Sequence, residues 1–205
     1  KKAGANAVKF QTFVVDDLIL KNSIKPHYQH EFSKKSYYDI LKMLEPKFSD
    51  QEIIFKYCKK NKITFLSTPY DQKSLDFLVS LGISAIKVSS TDLTNHLFLD
   101  KIAKKKIPVI LSTGLSTQNL IDDAFKIFKR NKLLKKIAIL QTTSDYPAKN
   151  NEINLRVLST YRQRYNVPIG LSDHTQDVTA SLGAIALGAS IVEKHFTLDK
   201  KMHGP

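Results

Sequence analysis

Apolar and polar positions alternate in short bursts along this chain, and the bursts recur. Seven apolar or β-branched runs stand out: Ala7–Gln11, Ile63–Thr68, Ala85–Ser89, Pro108–Ser112, Ile137–Thr142, Pro168–Ser172 and Ser190–Thr197. One stretch of helical periodicity separates most neighbours, and several spacings fall between 20 and 31 residues. This cadence predicts repeated strand–helix units and a parallel sheet. The helices have legible boundaries. Ser49-Asp50-Gln51-Glu52 has the form of a capping box, followed by Ile53, Ile54 and Tyr57 on one stripe. Ser116 is placed to cap a helix whose buried face is Leu120, Ile121, Ala124 and Phe128. Gly82 and Gly188 fall where helix C-caps are expected. The stretch from Phe13 to about Lys35 breaks the cadence as a long, partly polar excursion, and such loops are commonly functional.

Seven strand–helix units fit either an open doubly wound sheet or a nearly complete eight-stranded barrel. A Gly-rich dinucleotide fingerprint is absent, which weakens the open sheet. Polar residues repeatedly follow the apolar part of each strand, as at the C-terminal rim of a barrel. The prediction is an α/β fold, a (β/α)8 TIM-type barrel that is incomplete here. Few residues precede the first run and none form a helix after the last, so both ends are expected to be cut.

Composition narrows the function. A chain of 205 residues, 42% hydrophobic and 25% charged, fits one globular domain. No apolar run approaches the roughly 20 residues of a membrane helix, and no opening segment reads as a signal peptide. The single cysteine, Cys58, excludes an internal disulfide, fits a reducing cytoplasmic setting, and reads as a packing residue beside Ile54 and Tyr57. The net charge of +13 raises the question of nucleic acid or an anionic substrate. Lys59-Lys60, Lys104-Lys105-Lys106 and Lys135-Lys136 each close a helical segment, where lysine offsets the negative end of the helix dipole. With no basic–aromatic motif either, nucleic acid is not the expected partner.

Strand alternation then brings the chemistry together. Lys9 and Gln11 share one face of the first run, Ser172 and His174 one face of the sixth, and Glu193 and His195 one face of the seventh. If the bulky apolar residues pack against helices, these six point into the barrel. Two histidines at neighbouring strand ends can share a divalent ion, with imidazole nitrogens on the order of 3–4 Å apart when metal is bound. Two inward lysines, Lys9 and Lys87, would repel unless something anionic lies between them. A phosphate or carboxylate would serve, with hydroxyls of Thr68, Ser90 and Ser112 and the backbone around Gly114.

At these residues the sequence resembles the N-acetylneuraminate (sialic acid) synthase family, including the legionaminic- and pseudaminic-acid synthases. The matching segments are Gly4-Ala5-Asn6-Ala7-Val8-Lys9-Phe10-Gln11, Leu66-Ser67-Thr68-Pro69-Tyr70-Asp71 and Ile110-Leu111-Ser112-Thr113-Gly114. They continue with Thr143-Ser144-Asp145-Tyr146-Pro147, Gly170-Leu171-Ser172-Asp173-His174-Thr175 and Glu193-Lys194-His195-Phe196-Thr197-Leu198-Asp199. The resemblance implies a homodimeric barrel enzyme. The present strands would be the second through eighth, with the first strand and a C-terminal antifreeze-like domain outside residues 1–205. It implies condensation of phosphoenolpyruvate with an N-acyl amino-sugar aldehyde, N-acetylmannosamine or a related hexose, giving a nonulosonic acid and phosphate. It implies phosphoenolpyruvate contacts from Lys9, Thr68, Lys87, Ser90, Ser112, Ser144 and Ser172. His174 and His195 would hold manganese, or magnesium or cobalt. Gln11 and Tyr146 would contact the sugar, with Asp92 beside the reacting centre. Either Asp92 or Glu193 would handle the proton of the attacking water. The family pattern has glycine where this chain has Thr91, so the Ser90 loop is expected to differ. Two other readings stand beside this one: a Schiff-base aldolase with Lys87 as the amine, and a catalytically silent binding domain.

Overall fold

Each of the seven apolar runs contains a strand, and all seven strands pair in parallel in chain order. The computed structural model describes residues 2–26, 34–199 and 201–202. The sheet runs β1 (Ala7–Thr12), β2 (Thr64–Pro69), β3 (Ile86–Val88), β4 (Val109–Ser112), β5 (Ile137–Thr142), β6 (Ile169–Asp173) and β7 (Ile191–Lys194). A sequential order has no reversal point, so the doubly wound alternative is excluded. The sheet also curls. Lys9 on β1 and Glu193 on β7 lie on opposite edge strands, yet their side chains approach to 3.9 Å. The described strands therefore form most of a barrel wall, with β1 and β7 not paired to each other.

Among the described residues the helices are α1 (Val15–Leu18), α2 (Tyr37–Leu44), α3 (Phe48–Lys60), α4 (Gln72–Leu81), α5 (His96–Lys104), α6 (Gln118–Arg130), α7 (Val157–Arg164) and α8 (Thr179–Ala186). Alternate strand residues Ile86, Val88, Val109, Leu111, Ile139 and Leu171 meet Leu75, Leu78, Leu99, Ile102, Ile121 and Phe128 of the helices in one core. Their neighbours Lys87, Ser112 and Ser172 necessarily face the barrel interior. Close strand approach depends on Gly170, where a Cβ would stand 2.2 Å from the Ile191 carbonyl oxygen.

Several helix boundaries follow the sequence and others depart from it. Gly82 takes a left-handed C-cap with φ of 76°, and Gly188, just past α8, has φ of 83°. The buried face of α6 contains Ile121, Ala124 and Phe128 as expected. Its N-cap is Thr117 rather than Ser116, whose hydroxyl instead donates to the Gly114 carbonyl at 3.1 Å. Ser49 lies inside α3, which begins at Phe48 with no side-chain cap. Phe48 stacks on Phe77 of α4 with ring centroids 4.3 Å apart, a tertiary contact that draws the helix start forward. Ile53 and Tyr57 are exposed at 66% and 67%, while Gln51 and Cys58 are the buried positions of α3. The excursion after β1 contains the short helix α1, and its residues 27–33 lie outside the described set.

The basic runs are largely spent on helix ends. Lys62, Lys106 and Lys132 follow α3, α5 and α6 in the left-handed conformation, with φ between 54° and 59°. Lys106 Nζ donates to the Asn131 carbonyl, and Lys136 Nζ donates to the Lys106 carbonyl at 2.9 Å. These ammonium groups cap neighbouring helix C-termini, where the dipole is negative. No helix among the described residues is long and apolar enough to cross a membrane.

Candidate active site

Parallel pairing puts the C-terminal ends of all seven strands on one rim, and the predicted polar residues gather there. Lys87 of β3 is 4% exposed. Its ammonium group donates to Ser112 Oγ of β4 at 2.6 Å and to its neighbour's carbonyl, Val88 O, at 3.3 Å. It also lies 3.6 Å from Glu193 Oε1 of β7. Lys9 of β1 approaches the same oxygen at 3.9 Å, and Ser172 Oγ of β6 donates to it at 2.9 Å. The anion required between the two inward lysines is thus supplied by Glu193.

Burial lowers Lys87 to about 8; Lys9 pushes the same way, and Glu193 resists. For Glu193, burial pushes upward. Lys87 and Lys9, followed by the Ser172 hydrogen bond, more than reverse this and hold the carboxyl below its ordinary value. Glu193 is therefore ionised at neutral pH, and its oxygen sits where two cations and a hydroxyl converge.

A second cluster surrounds Gly114. Its N–H donates to Ser90 Oγ at 2.8 Å. A Cβ there would fall 2.1 Å from Ser144 Oγ and 2.9 Å from Ser90 Oγ, so the backbone is bare where two hydroxyls crowd it. Ser89 Oγ accepts from the Thr91 amide at 3.1 Å and pairs with Thr91 Oγ1 at 2.5 Å, turning the Ser90–Asp92 segment as a single 3-10 turn. Thr68 is buried at the end of β2.

The histidines come together at the next layer. Their ring centroids are 5.3 Å apart and the planes nearly perpendicular. Tyr146 stacks on His174 at 4.2 Å and meets His195 edge-on at 5.5 Å. His174 Nδ1 lies 2.6 Å from the Thr143 carbonyl. A carbonyl can only accept, so Nδ1 carries the proton and Nε2 presents its lone pair. Burial pushes His174 down to about 4, against the Thr143 contact, leaving the ring neutral at pH 7. His195 is exposed as a whole, yet partial loss of hydration around its ring, followed by Lys9, lowers it. It lies just past β7, which ends at Lys194 rather than continuing to Thr197.

A neutral imidazole fixed by a backbone acceptor is the usual state of a histidine that ligates a divalent ion. The donor chemistry of His174 and His195 therefore fits such an ion. Among the described residues no third His, Cys, Asp or Glu completes a group around them. The remaining coordination positions would fall to water or substrate.

The sugar-side residues are less uniform. Gln11 is exposed rather than enclosed by the barrel, and its Nε2 donates to the Tyr70 hydroxyl at 3.0 Å. Tyr70 was not singled out as a site residue, although it lies in one of the quoted segments. Burial raises its phenol, while a hydrogen bond with Ser89 opposes. Asp92 is 8% exposed and burial raises it to about 6, against a 3.4 Å hydrogen bond from Asn95. Its Oδ2 is buried without a hydrogen-bond partner among the described residues.

The decisive comparison is with a family model, NeuB family, which matches residues 1–205. The chain belongs to the NeuB family. Among NeuB relatives, the N,N'-diacetyllegionaminic acid synthase of Legionella pneumophila is 38% identical over 210 residues, covering 100% of this chain and 59% of its own length. Human N-acetylneuraminate-9-phosphate synthase is 32% identical over 206 residues, covering 100% of this chain and 57% of its own. The solved N-acetylneuraminic acid synthetase of Leptospira borgpetersenii, in complex with citrate, superposes with a TM-score of 0.84 at 31% identity. That match covers 97% of this chain and 65% of the solved one. The NeuB chain here thus spans about three fifths of the length of the curated relatives it matches.

Proposed function

We propose that this NeuB-family chain carries the catalytic barrel of an enzyme that condenses phosphoenolpyruvate with an N-acyl amino-sugar aldehyde, N-acetylmannosamine or a related hexose. The products are a nonulosonic acid and phosphate. The observation that carries this reading is the convergence of Lys9 and Lys87, with Ser172, on one oxygen of Glu193 beside neutral His174. Glu193 stands where a substrate anion belongs. The phosphate and carboxylate of phosphoenolpyruvate would take over the lysines, with Thr68, Ser90, Ser112, Ser144 and Ser172 as hydroxyl contacts.

His174 and His195 would hold a divalent ion, manganese or alternatively magnesium or cobalt, which as a Lewis acid polarises a carbonyl oxygen. The remaining chemistry belongs to the chain. The methylene carbon of phosphoenolpyruvate bonds to the aldehyde carbon, water adds to the carbon bearing phosphate, and the carbon–oxygen bond breaks to release phosphate. The lysines hold the enol phosphate in place and stabilise its charge, Lys87 from a nearly fully buried position. Asp92, raised to about 6, is suited to take the proton of the water, and Glu193 becomes available once the substrate anion displaces it. Gln11 and Tyr146 would face the acyl-amino sugar. Membership in the family supports a cytoplasmic homodimer.

Turnover with N-acetylmannosamine and with diacetamido hexoses, each with phosphoenolpyruvate and Mn2+, tests the reading and selects the sugar. One observation favours a second chemistry: Lys87 at about 8 is a better amine nucleophile than an ordinary lysine. A Schiff-base aldolase would be trapped by borohydride with pyruvate. The hold of Ser112 and Glu193 on Lys87 Nζ favours an anion-binding role.

A further inference from the structure

Behind the histidine pair, on the opposite face of the sheet, lies a second charged cluster that the proposed reaction does not use. Asp173 is fully buried, and Lys194 of the neighbouring strand is its register partner. Lys194 Nζ donates to Asp173 Oδ2 at 3.0 Å and to the Thr175 carbonyl at 2.7 Å. Ser181 of α8 donates to the same Oδ2 at 2.5 Å. Thr175 donates its N–H and hydroxyl to Asp173 Oδ1 at 2.9 and 2.8 Å.

The arrangement is specific to its place. Lys194 immediately precedes His195, and it grips both residues that flank His174. Ser172 and Glu193 are paired one step earlier in the register and hydrogen-bonded across the strands. The last two rungs therefore read Ser172 with Glu193 and Asp173 with Lys194, and His174 and His195 are the next residues along their two chains. A slip of one residue would turn the histidines to the outer face. Asp173 is buried while the Lys194 side chain stays 27% exposed, and taking a carboxylate out of water is costly, so the pair is weak evidence for added stability; fixing geometry is the better-attested use.

We propose that Asp173 and Lys194 are positioning residues that set the relative placement of His174 and His195, and through it affinity for a divalent cation. This rests on the reading of the two histidines as metal ligands. Supporting contacts around metal-binding histidines are commonly worth about 10- to 100-fold in metal affinity.

The test uses Lys194→Met, which keeps the aliphatic stem, Lys194→Arg as the conservative variant, and the neutral double variant Asp173→Asn with Lys194→Met. The double variant removes the uncompensated buried carboxylate and so guards against simple misfolding. Three quantities are measured on purified protein: Mn2+ affinity, phosphoenolpyruvate affinity in EDTA, and the His174 Nδ1–H signal in metal-free nuclear magnetic resonance spectra. The expected result is Mn2+ binding weakened at least about tenfold in both methionine variants, with recovery in Lys194→Arg. Phosphoenolpyruvate affinity in EDTA should stay within about twofold while the Nδ1–H signal broadens or is lost. Unchanged Mn2+ affinity would overturn the proposal. So would equal losses of both ligands, which would mark a general loss of structure. If the unaltered protein fails to bind Mn2+, the metal reading falls. The imidazole signal then decides the clamp separately: retained in the variants it overturns the clamp, and lost it upholds it.

Discussion

Lys87 and Glu193, on β3 and β7, bring their charged groups to 3.6 Å across the barrel interior. They are 106 residues apart in sequence (193 − 87) and share no register pairing. Only the curl of the sheet makes them neighbours. The contact explains how a nearly fully buried lysine is tolerated.

Replacing Lys87 by methionine keeps the stem and removes the charge. Phosphoenolpyruvate affinity should fall by at least about tenfold, roughly 1.4 kcal/mol. Isothermal titration of the two proteins reads this directly. Equal affinities would reduce Lys87 to an internal partner of Glu193 and Ser112.

Gly114→Ala should damage the same site sterically. The new methyl group would stand 2.1 Å from Ser144 Oγ, so Ser144 must rotate away and the amide–Ser90 contact must loosen. Phosphoenolpyruvate affinity should fall by about tenfold or more, and because Gly114 is buried the overpacking should also lower the melting temperature modestly. A large melting shift with intact affinity would place Gly114 in the scaffold instead.

Asp92 gives a pH signature. Its folded value of about 6 lies above the ordinary 3.8, so the folded protein binds this proton more tightly than the unfolded chain. Stability from this group is therefore present at low pH and lost as pH rises from about 4 through 6. Asp92→Asn should gain on the order of 1–3 kcal/mol at pH 7, with no gain below pH 4, while losing turnover. Denaturant melts at pH 4 and pH 7 check the sign. A variant less stable at both would show that the carboxylate is satisfied in the fold.

The strands were legible because parallel strands covered on both faces read as continuous apolar runs; Ile137–Thr142 is buried at all six positions. The buried face of α3 was less legible, because one of its two buried residues, Gln51, is polar. Gln51 Nε2 donates to the Gln11 carbonyl at 2.8 Å, and its Oε1 accepts from Thr12 Oγ1 at 2.7 Å. Hydrophobic periodicity cannot register a glutamine that spans to a strand; of the stripe Ile53, Ile54 and Tyr57, only Ile54 packs against the core, and the other two lie outward. At the site, alternation correctly placed Lys9, Ser172 and Glu193 on the interior face. It could not show that Glu193 would occupy the space between the lysines, because that depends on how far β1 and β7 curl toward each other. The Asp173–Lys194 pair was equally hidden, since it follows from the β6–β7 register.

The proposed reaction joins phosphoenolpyruvate to an amino-sugar aldehyde with metal at the histidine pair. The most direct measurement follows phosphate and 2-keto acid together in the purified protein, with Mn2+ and with EDTA, beside the His174→Ala variant. With Mn2+ the expected products are equimolar phosphate and nonulosonic acid, and both are lost in EDTA and in the variant. Metal-independent turnover that uses pyruvate, releases no phosphate and is trapped on Lys87 by borohydride would contradict it.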